Sequence, residues 1–303
     1  MIMNVQKLGL VLAGGGGKGA YQIGVWKYLR KIGLDSAFSV LSGTSVGALN
    51  AVLFANGDIE LAERIWTEQI DSRILSDNTT RIFEGENLDF GTILGNILCN
   101  GLFSRDGLCE IISREIDLGF LSSCKKHVYA TCTRLPDVTG VPFLLNRLKK
   151  ETCVQALLAT SAIPGVFKPE RVEDCLYYDG GLVPENNIPV LPVEEERCTH
   201  VVVVPLNRDS EVNLYSMAES DVTVIRPSAD LGDLLCGTLN FTPEKARSLI
   251  ALGYSDASTI YVDTLQRIAS ARNLTASSSP STAKLDSAIK FFRNELEKRK
   301  LGF

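Results

Sequence analysis

A serine flanked by glycines is a candidate nucleophile. The sequence Gly43-Thr44-Ser45-Val46-Gly47 lies between a short apolar run and a stretch rich in Ala and Leu. A strand, a sharp turn and a helix in this order form a nucleophile elbow. Gly43 and Gly47 remove side chains that would collide in the turn, so the Ser45 hydroxyl would stand beside the free N–H groups that begin the helix. This pattern predicts acyl transfer with Ser45 as the nucleophile.

A glycine-rich segment, called the glycine loop below, follows the first apolar run of the chain. The loop consists of Gly14, Gly15, Gly16, Gly17, Lys18 and Gly19. It is not a P-loop, because its lysine is followed by Gly instead of Ser or Thr. It does satisfy the G-x-G-x-x-G pattern of dinucleotide-binding proteins, but the acidic residue Asp35 precedes the second predicted strand instead of ending it. A dinucleotide site therefore stays an alternative.

The other interpretation of the glycine loop is an oxyanion hole. If the two neighbouring strands are parallel, the glycine loop and the turn at Ser45 lie at the same edge of the sheet. The N–H groups of Gly15 and Gly16 could then stabilise the negative charge of a tetrahedral intermediate.

A serine nucleophile needs a base, and the chain has only two histidines, His127 and His200. Each stands at the start of a predicted strand. If those strands run parallel to the first two, both histidines lie at the edge of the sheet opposite Ser45. A carboxylate is the remaining choice, and Asp179, at the end of an apolar run, is the candidate. Because Asp-Gly is also a hairpin-turn signal, a turn without a catalytic role is the alternative.

The elements that would position these residues follow an alternating pattern. Apolar runs at residues 8–13 and 38–41 predict two strands, with a helix between them over 19–31. A β-α-β unit of this kind has parallel strands, and residues 45–54 predict a buried helix after it. Further strands are predicted over residues 127–134, 141–146, 175–178, 200–205 and 221–225. Together these elements predict an α/β core.

The remaining segments predict helices outside this core. Residues 56–121 predict an inserted helical region. C-terminal helices are predicted over residues 243–252, 257–271 and 282–301. We therefore predict an α/β domain over residues 1–256 and, without a clear linker, a helical extension over residues 257–303 that packs on or near it.

Composition argues against several classes of function. The chain of 303 residues has 31 basic and 36 acidic residues, and a net charge of −5 does not suit binding to nucleic acid. No apolar run approaches the roughly 20 residues that cross a bilayer, and the amino terminus lacks the basic segment of a signal peptide. Eight scattered cysteines predict reduced thiols and no zinc site. We expect a cytoplasmic protein whose membrane contacts are peripheral.

Three motifs together resemble the patatin-like phospholipase family: the glycine loop, the elbow around Ser45, and Asp179-Gly180-Gly181. Residues 160–167 and 241–246 also look like family sequence, so the resemblance covers about residues 6–256. It implies a three-layer α/β/α fold with a mostly parallel central sheet. It also implies a Ser-Asp dyad, in which Ser45 is the nucleophile and Asp179 its base, beside an oxyanion hole in the glycine loop.

The activity that this resemblance implies is hydrolysis of fatty acyl esters through an acyl-enzyme, without a metal or cofactor. A carboxylate with a pKa of about 4 is a weak base, so we expect burial to raise the pKa of Asp179. Lys18 corresponds to the basic residue of the family loop. Its side chain either contacts a phosphate group or is solvated, and the sequence leaves both interpretations open. The chain departs from the family pattern at Ala13, and residues 184–187 lengthen the loop after the acid, which could reshape the acyl channel.

The expected partners are a phospholipid or another acyl ester and, transiently, a membrane surface. Residues 88–103 could form an apolar lid, and Leu285, Ile289, Phe292 and Leu296 could lie on lipid, unless both segments pack on the protein body. Alternative functions are a general carboxylesterase or thioesterase, a dinucleotide-binding oxidoreductase and a latent lipid-binding module. The sequence does not define an oligomeric state.

Overall fold

A mixed β-sheet forms the centre of the computed structural model, which describes residues 7–69, 76–77, 103–104 and 106–274. The strands in these ranges are β1 (Leu8–Leu12), β2 (Phe38–Thr44), β3 (Ser76–Asp77), β4 (Phe103–Ser104), β5 (His127–Leu135), β6 (Thr139–Leu144), β7 (Glu170–Val172), β8 (Cys175–Asp179), β9 (His200–Val204) and β10 (Asp221–Val224). Strands β3 and β4 pair only with each other, and the other eight form the sheet.

The helices connect the strands and cover the sheet. They are α1 (Ala20–Lys31), α2 (Val46–Asn56), α3 (Ile59–Arg64), α4 (Asp106–Glu115), α5 (Lys150–Thr160), α6 (Leu191–Glu195) and α7 (Pro243–Leu274). Local signals define their ends. Helix α2 stops at Gly57, which takes the left-handed conformation with φ 85°. Asp58 caps α3, because its side chain accepts a hydrogen bond from the N–H of Leu61 at 2.8 Å.

The sheet order is β10-β9-β1-β2-β5-β8-β7, with β6 on the other edge of β5. The five strands from β10 to β5 are parallel, and β6, β7 and β8 join by antiparallel pairing. Strands β2 and β8 share one edge of β5: β2 pairs with its first half and β8 with its second half. The carboxyl ends of β2 and β8 therefore meet in the middle of β5.

Both faces of the sheet are buried, which explains why β1 is a continuous apolar run. Leu10 and Leu12 point to the face covered by α1, α2 and α7. Val11 and Ala13 point to the opposite face, where they pack with Val193 of α6. Successive side chains of a strand alternate between faces, so one strand contributes to both cores. The central sheet with helices on its faces confirms the predicted fold class.

The sequence predicted most of the sheet and placed the first two helices. The seven predicted strands are β1, β2, β5, β6, β8, β9 and β10, with bounds that differ by a few residues. The prediction of separate helices over residues 243–252 and 257–271 was wrong, because α7 is continuous. Residues 253–256, Gly-Tyr-Ser-Asp, have low helix propensity, but this part of α7 packs closely on α1. Tertiary contact thus outweighs local preference.

Some elements were missed by the sequence analysis, and some of its predictions are not tested by the described residues. Helix α5 and strand β7 were not predicted. The proposed lid at residues 88–103 lies almost wholly outside the described residues, as does the proposed helix over 282–301. Helix α7 runs uninterrupted through residues 256 and 257, where the domain boundary was placed, and the division into two domains stays a prediction.

Candidate active site

Ser45 occupies a sharp turn between β2 and α2, as the sequence predicts. Its backbone has φ 55° and ψ −130°, a conformation that residues other than glycine rarely adopt. The flanking glycines are required by close backbone contacts. A Cβ atom on Gly43 would lie 2.3 Å from the carbonyl carbon of Gly47, and one on Gly47 would lie 2.1 Å from the carbonyl oxygen of Leu12. The turn can form only with glycine at both positions.

Asp179 reaches Ser45 because two strands end at neighbouring residues of β5. Thr44, the last residue of β2, pairs with Thr131, and Asp179, the last residue of β8, pairs with Cys132. Ser45 follows Thr44 directly, so its side chain lies close enough to Asp179 for its hydroxyl to lower the pKa of that carboxyl. Both residues are buried, with 4% and 5% of their surface exposed. The structure thus brings the predicted nucleophile and base into contact.

The environment of Asp179 strengthens it as a base. Burial raises the pKa of Asp179 to about 6, and the hydrogen bonds from Ser45 and from the N–H of Gly181 lower it only in part. The N–H of Gly181 lies 2.8 Å from Asp179 Oδ1, and residues Gly180–Leu182 form a short 3₁₀ helix instead of a hairpin turn. The predicted rise in pKa is confirmed, and the carboxylate remains ionised at neutral pH.

The glycine loop lies beside Ser45 at the carboxyl edge of β1. Residues Gly16–Gly19 form a 3₁₀ helix that leads into α1. Gly16 has φ 54°, and a Cβ atom on it would lie 2.1 Å from the carbonyl oxygen of Thr238. In the described parts of the chain, no protein group accepts a hydrogen bond from the N–H of Gly15 or Gly16. These two donors suit an oxyanion.

Close packing explains the other glycines of the loop. A Cβ atom on Gly14 would lie 2.6 Å from Asn187 Oδ1, and one on Gly17 would lie 2.0 Å from the carbonyl oxygen of Asn240. A Cβ atom on Gly19 would lie 2.5 Å from a methyl carbon of Val46, the first residue of α2. The loop is therefore held between the start of α2 and residues 238–240.

Two cavities meet at Ser45. A cavity of about 340 Å³ is lined by Ser45 and Asp179, and also by Gly14, Gly15, Gly16, Lys18 and Asn187. A smaller pocket of about 70 Å³ extends from Ser45 among apolar side chains. Its lining includes Val46, Leu49, Leu53, Ile65, Trp66 and Phe167. A substrate could thus place an apolar part in one cavity and a polar part in the other.

Lys18 lines the larger cavity, at its boundary with the segment before α7. Burial lowers the pKa of Lys18, while the carboxylates of Asp230 and Asp233 oppose that effect. An ammonium group in this position would favour an anionic group in the cavity. The choice between phosphate contact and a solvated lysine stays open.

Sequence reasoning treated residues 184–187 only as a lengthened loop, but the structure shows that they brace the site. The segment forms a 3₁₀ helix, Pro184–Asn187. The carbonyl oxygen of Asn187 accepts a hydrogen bond from the N–H of Gly14 at 3.0 Å, and that of Asn186 accepts one from Thr44 Oγ1 at 2.6 Å. These contacts join residues more than 140 positions apart, so no local signal could have revealed them.

Thr160 is a second contact that the sequence did not indicate. Its Oγ1 accepts a hydrogen bond from the N–H of Ser45 at 2.9 Å and donates one to the carbonyl oxygen of Thr131 at 2.5 Å. It stands at the end of the unpredicted helix α5. The only signal was the resemblance of residues 160–167 to family sequence.

The histidines lie away from this site, as predicted. His127 begins β5 and His200 begins β9, at the edge of the sheet opposite Ser45. His127 Nδ1 contacts Glu196 Oε1 at 2.6 Å, and His200 Nε2 lies 3.3 Å from Asp221 Oδ2. Within the ranges that the structure covers, no group of three or more His, Cys, Asp or Glu residues could hold a metal ion.

Comparison with known proteins agrees with this geometry. A model of the patatin-like phospholipase family matches residues 10–193. Uncharacterized NTE family proteins of Mycobacterium bovis and Mycobacterium tuberculosis are 27% identical over 278 residues, an alignment that covers 87% of this chain. The same alignment covers only 41% of those relatives, so the chain spans less than half of their length.

The fold has a counterpart among solved structures. VipD from Legionella pneumophila superposes with a TM-score of 0.52 at 14% identity, covering 84% of this chain and 66% of that one. Among the described residues, no helix is long and apolar enough to cross a membrane. The family model matches well over half of the chain and includes the elbow, the glycine loop and Asp179. The chain therefore belongs to the patatin-like phospholipase family.

Proposed function

We propose that this chain hydrolyses fatty acyl esters of lipids with Ser45 as the nucleophile and Asp179 as its base. One observation carries the proposal. The Ser45 hydroxyl lies beside a buried carboxylate whose pKa is about 6, in a cavity also lined by Gly15 and Gly16, whose N–H groups have no protein acceptor among the described residues. This proximity of a candidate nucleophile, a candidate base and candidate oxyanion donors supports acyl transfer.

The reaction would proceed in two steps. Asp179 accepts the Ser45 proton while Ser45 Oγ attacks the ester carbonyl, and the N–H groups of Gly15 and Gly16 stabilise the resulting oxyanion. The intermediate collapses, the C–O bond to the alcohol breaks, and the leaving oxygen takes the proton from Asp179. A water molecule then attacks the acyl-enzyme, again with Asp179 as base, and releases the fatty acid and free Ser45.

The shape of the two cavities supports a lipid substrate. The apolar pocket, of about 70 Å³, suits the first few carbons of an acyl chain, because its walls are aliphatic and aromatic side chains that begin directly beside Ser45. The larger cavity suits the alcohol part of the substrate, and Lys18 favours a phosphate there. Together they support a phospholipid or lysophospholipid as the substrate.

The substrate would be taken from a membrane during transient contact by a cytoplasmic protein. Leu182, three residues after Asp179, exposes 38% of its surface, and Tyr215 exposes 95%. Apolar and aromatic side chains of this kind favour the membrane interface. The described cysteines are free thiols, including the exposed Cys236, which fits a reducing compartment.

A fluorophosphonate probe tests the proposed dyad directly, because it reacts only with an activated serine. We expect the wild-type protein to be labelled at Ser45, Ser45→Ala not to be labelled, and Asp179→Asn to react about 100- to 10,000-fold more slowly through loss of the base. The labelling rate should fall tenfold per pH unit below about 6, where Asp179 becomes protonated. Peptide mass mapping identifies the modified residue.

The substrate is tested with phospholipid vesicles and with a short-chain ester. Release of fatty acid from vesicles that depends on Ser45 supports lipid acyl hydrolysis. Hydrolysis of the short-chain ester alone would instead favour a general carboxylesterase. Folded wild-type protein that is not labelled, with or without vesicles, would contradict the proposed dyad.

A further inference from the structure

One turn of the chain contacts both members of the dyad. It consists of Thr160, Ser161 and Ala162, at the end of α5. The hydroxyl oxygen of Thr160 accepts a hydrogen bond from the N–H of Ser45 at 2.9 Å. The carbonyl oxygen of Ala162 accepts one from the N–H of Asp179, also at 2.9 Å. The backbones of nucleophile and base are therefore tied to three consecutive residues.

The Thr160 hydroxyl connects the turn to the sheet as well. It donates its proton to the carbonyl oxygen of Thr131 at 2.5 Å, so it acts as donor and acceptor at once. Thr160 has no exposed surface, and water therefore cannot replace either partner. Thr131 pairs with Thr44 at the end of β2, which places this bridge where β2 and β8 meet.

The conformation of Ser45 requires such support. A serine with positive φ is strained, and strained backbone persists only where surrounding contacts hold it. The N–H of Ser45 cannot contribute to α2, because Ser45 is the residue that precedes that helix. Its bond to Thr160 both satisfies a buried donor and fixes the direction of the turn.

We propose, resting on the proposed function, that Thr160 is a positioning residue for acyl transfer. Its hydroxyl holds the backbone of Ser45 so that Oγ stays within hydrogen-bond reach of Asp179. Thr160 lines neither of the two cavities at Ser45, so it acts through the residues that it bonds, Ser45 and Thr131. The same turn fixes Asp179 through Ala162, which sets the distance between the two reacting side chains.

The test compares substitutions of Thr160 by the rate of fluorophosphonate labelling. Thr160→Ser keeps the hydroxyl, whereas Thr160→Val keeps the shape and removes both hydrogen bonds. We expect Thr160→Ser to react within about 3-fold of the wild-type rate and Thr160→Val about 100-fold more slowly, because small misplacements of reacting groups are costly. Ser258→Ala, which removes a buried hydroxyl that bonds within α7, is the matched control and should react at the wild-type rate.

The pH profile separates positioning from loss of folded protein. The hydrogen bond from Ser45 lowers the pKa of Asp179, so a variant that loosens Ser45 should show its loss of activity at higher pH than the wild type. A variant that is only less stable would label a smaller fraction of molecules with an unchanged pH profile. We therefore expect the labelling rate of Thr160→Val to begin its fall on the acid side of the pH profile, its acid limb, above pH 6. The acid limb of Thr160→Ser should stay at the wild-type position.

The outcomes are distinct. If folded Thr160→Val reacts at the wild-type rate, or reacts slowly with an unchanged acid limb, the positioning role is overturned while the dyad stands. If that variant does not fold, Thr160→Cys is measured instead, because its thiol is a weaker donor and acceptor than a hydroxyl. It should react more slowly than the wild type and Thr160→Ser, but without complete loss of labelling. Wild-type protein that is not labelled overturns both proposals.

Discussion

Asp179 meets two opposing requirements at the scale of a single residue. A proton acceptor for serine must have a pKa near the working pH, and burial provides this by disfavouring the charged carboxylate. The same burial makes the ionised side chain a source of instability, because its charge would be better solvated in the unfolded chain. The proposed base is therefore maintained at a cost in folding free energy.

This cost predicts a pH-dependent gain in stability for Asp179→Asn. The pKa of Asp179 in the folded protein, about 6, lies above the value of about 4 for a solvated carboxyl, so the wild type loses stability as the pH rises through this interval. We expect the variant to be more stable by about 3 kcal/mol at pH 7.5, and the difference to fall below about 1 kcal/mol at pH 4. Denaturant unfolding at both pH values measures it. Asp209→Asn, on an exposed loop, is the control, and an equal gain at both pH values would contradict the argument.

At the scale of elements, the site depends on how closely α2 approaches β1. Gly47 lies in the first turn of α2, where its Cα faces the carbonyl oxygens of Leu12 and Ala13. Any side chain there meets backbone atoms, which cannot rotate away. The contact places the amino end of α2, and with it Ser45, directly against the end of β1 and the glycine loop.

Gly47→Ala should therefore disrupt both stability and reactivity. Its Cβ would lie 2.1 Å from the Leu12 oxygen, and we expect a loss of about 3 kcal/mol together with loss of fluorophosphonate labelling. In Gly57→Ala, at the other end of α2, the added Cβ meets no atom within 4 Å. Its only effect is to place alanine in a left-handed conformation, which should lower stability by about 1 kcal/mol. That variant should be labelled at the wild-type rate. Similar labelling of the two variants would show that the close contact does not position Ser45.

The same contrast explains how far the sequence predicted the site. The elbow, the glycine loop and the strand before Asp179 each have a local signature, because glycine spacing and apolar runs are patterns that lie within about ten consecutive residues. Thr160 and Asn187 have none, because their roles come from hydrogen bonds to Ser45 and Gly14, far away in the chain. Strand β7 has only three residues, too few for a periodic pattern.

At the scale of the whole molecule, the C-terminal helix is linked to the site through a tight helix crossing. Gly24 of α1 and Gly253 of α7 allow the two backbones to touch. A Cβ atom on Gly24 would lie 2.0 Å from the Ile250 oxygen, and one on Gly253 would lie 2.0 Å from the Tyr21 oxygen. Helix α7 begins three residues after Asn240, whose carbonyl oxygen covers Gly17 of the glycine loop. The position of α7 should therefore influence the loop.

Gly253→Ala tests this link. The added methyl group forces α1 and α7 apart, so we expect a loss of about 2 kcal/mol and slower fluorophosphonate labelling of the folded protein as residues 238–240 shift on the glycine loop. Tyr21→Phe is the matched control, because it removes only the hydrogen bond of 3.0 Å from Tyr21 Oη to Asp256 in the same helix pair. It should cost about 1.5 kcal/mol and leave the labelling rate unchanged. If folded Gly253→Ala reacts as fast as this control, α7 stabilises the molecule without shaping the proposed oxyanion hole.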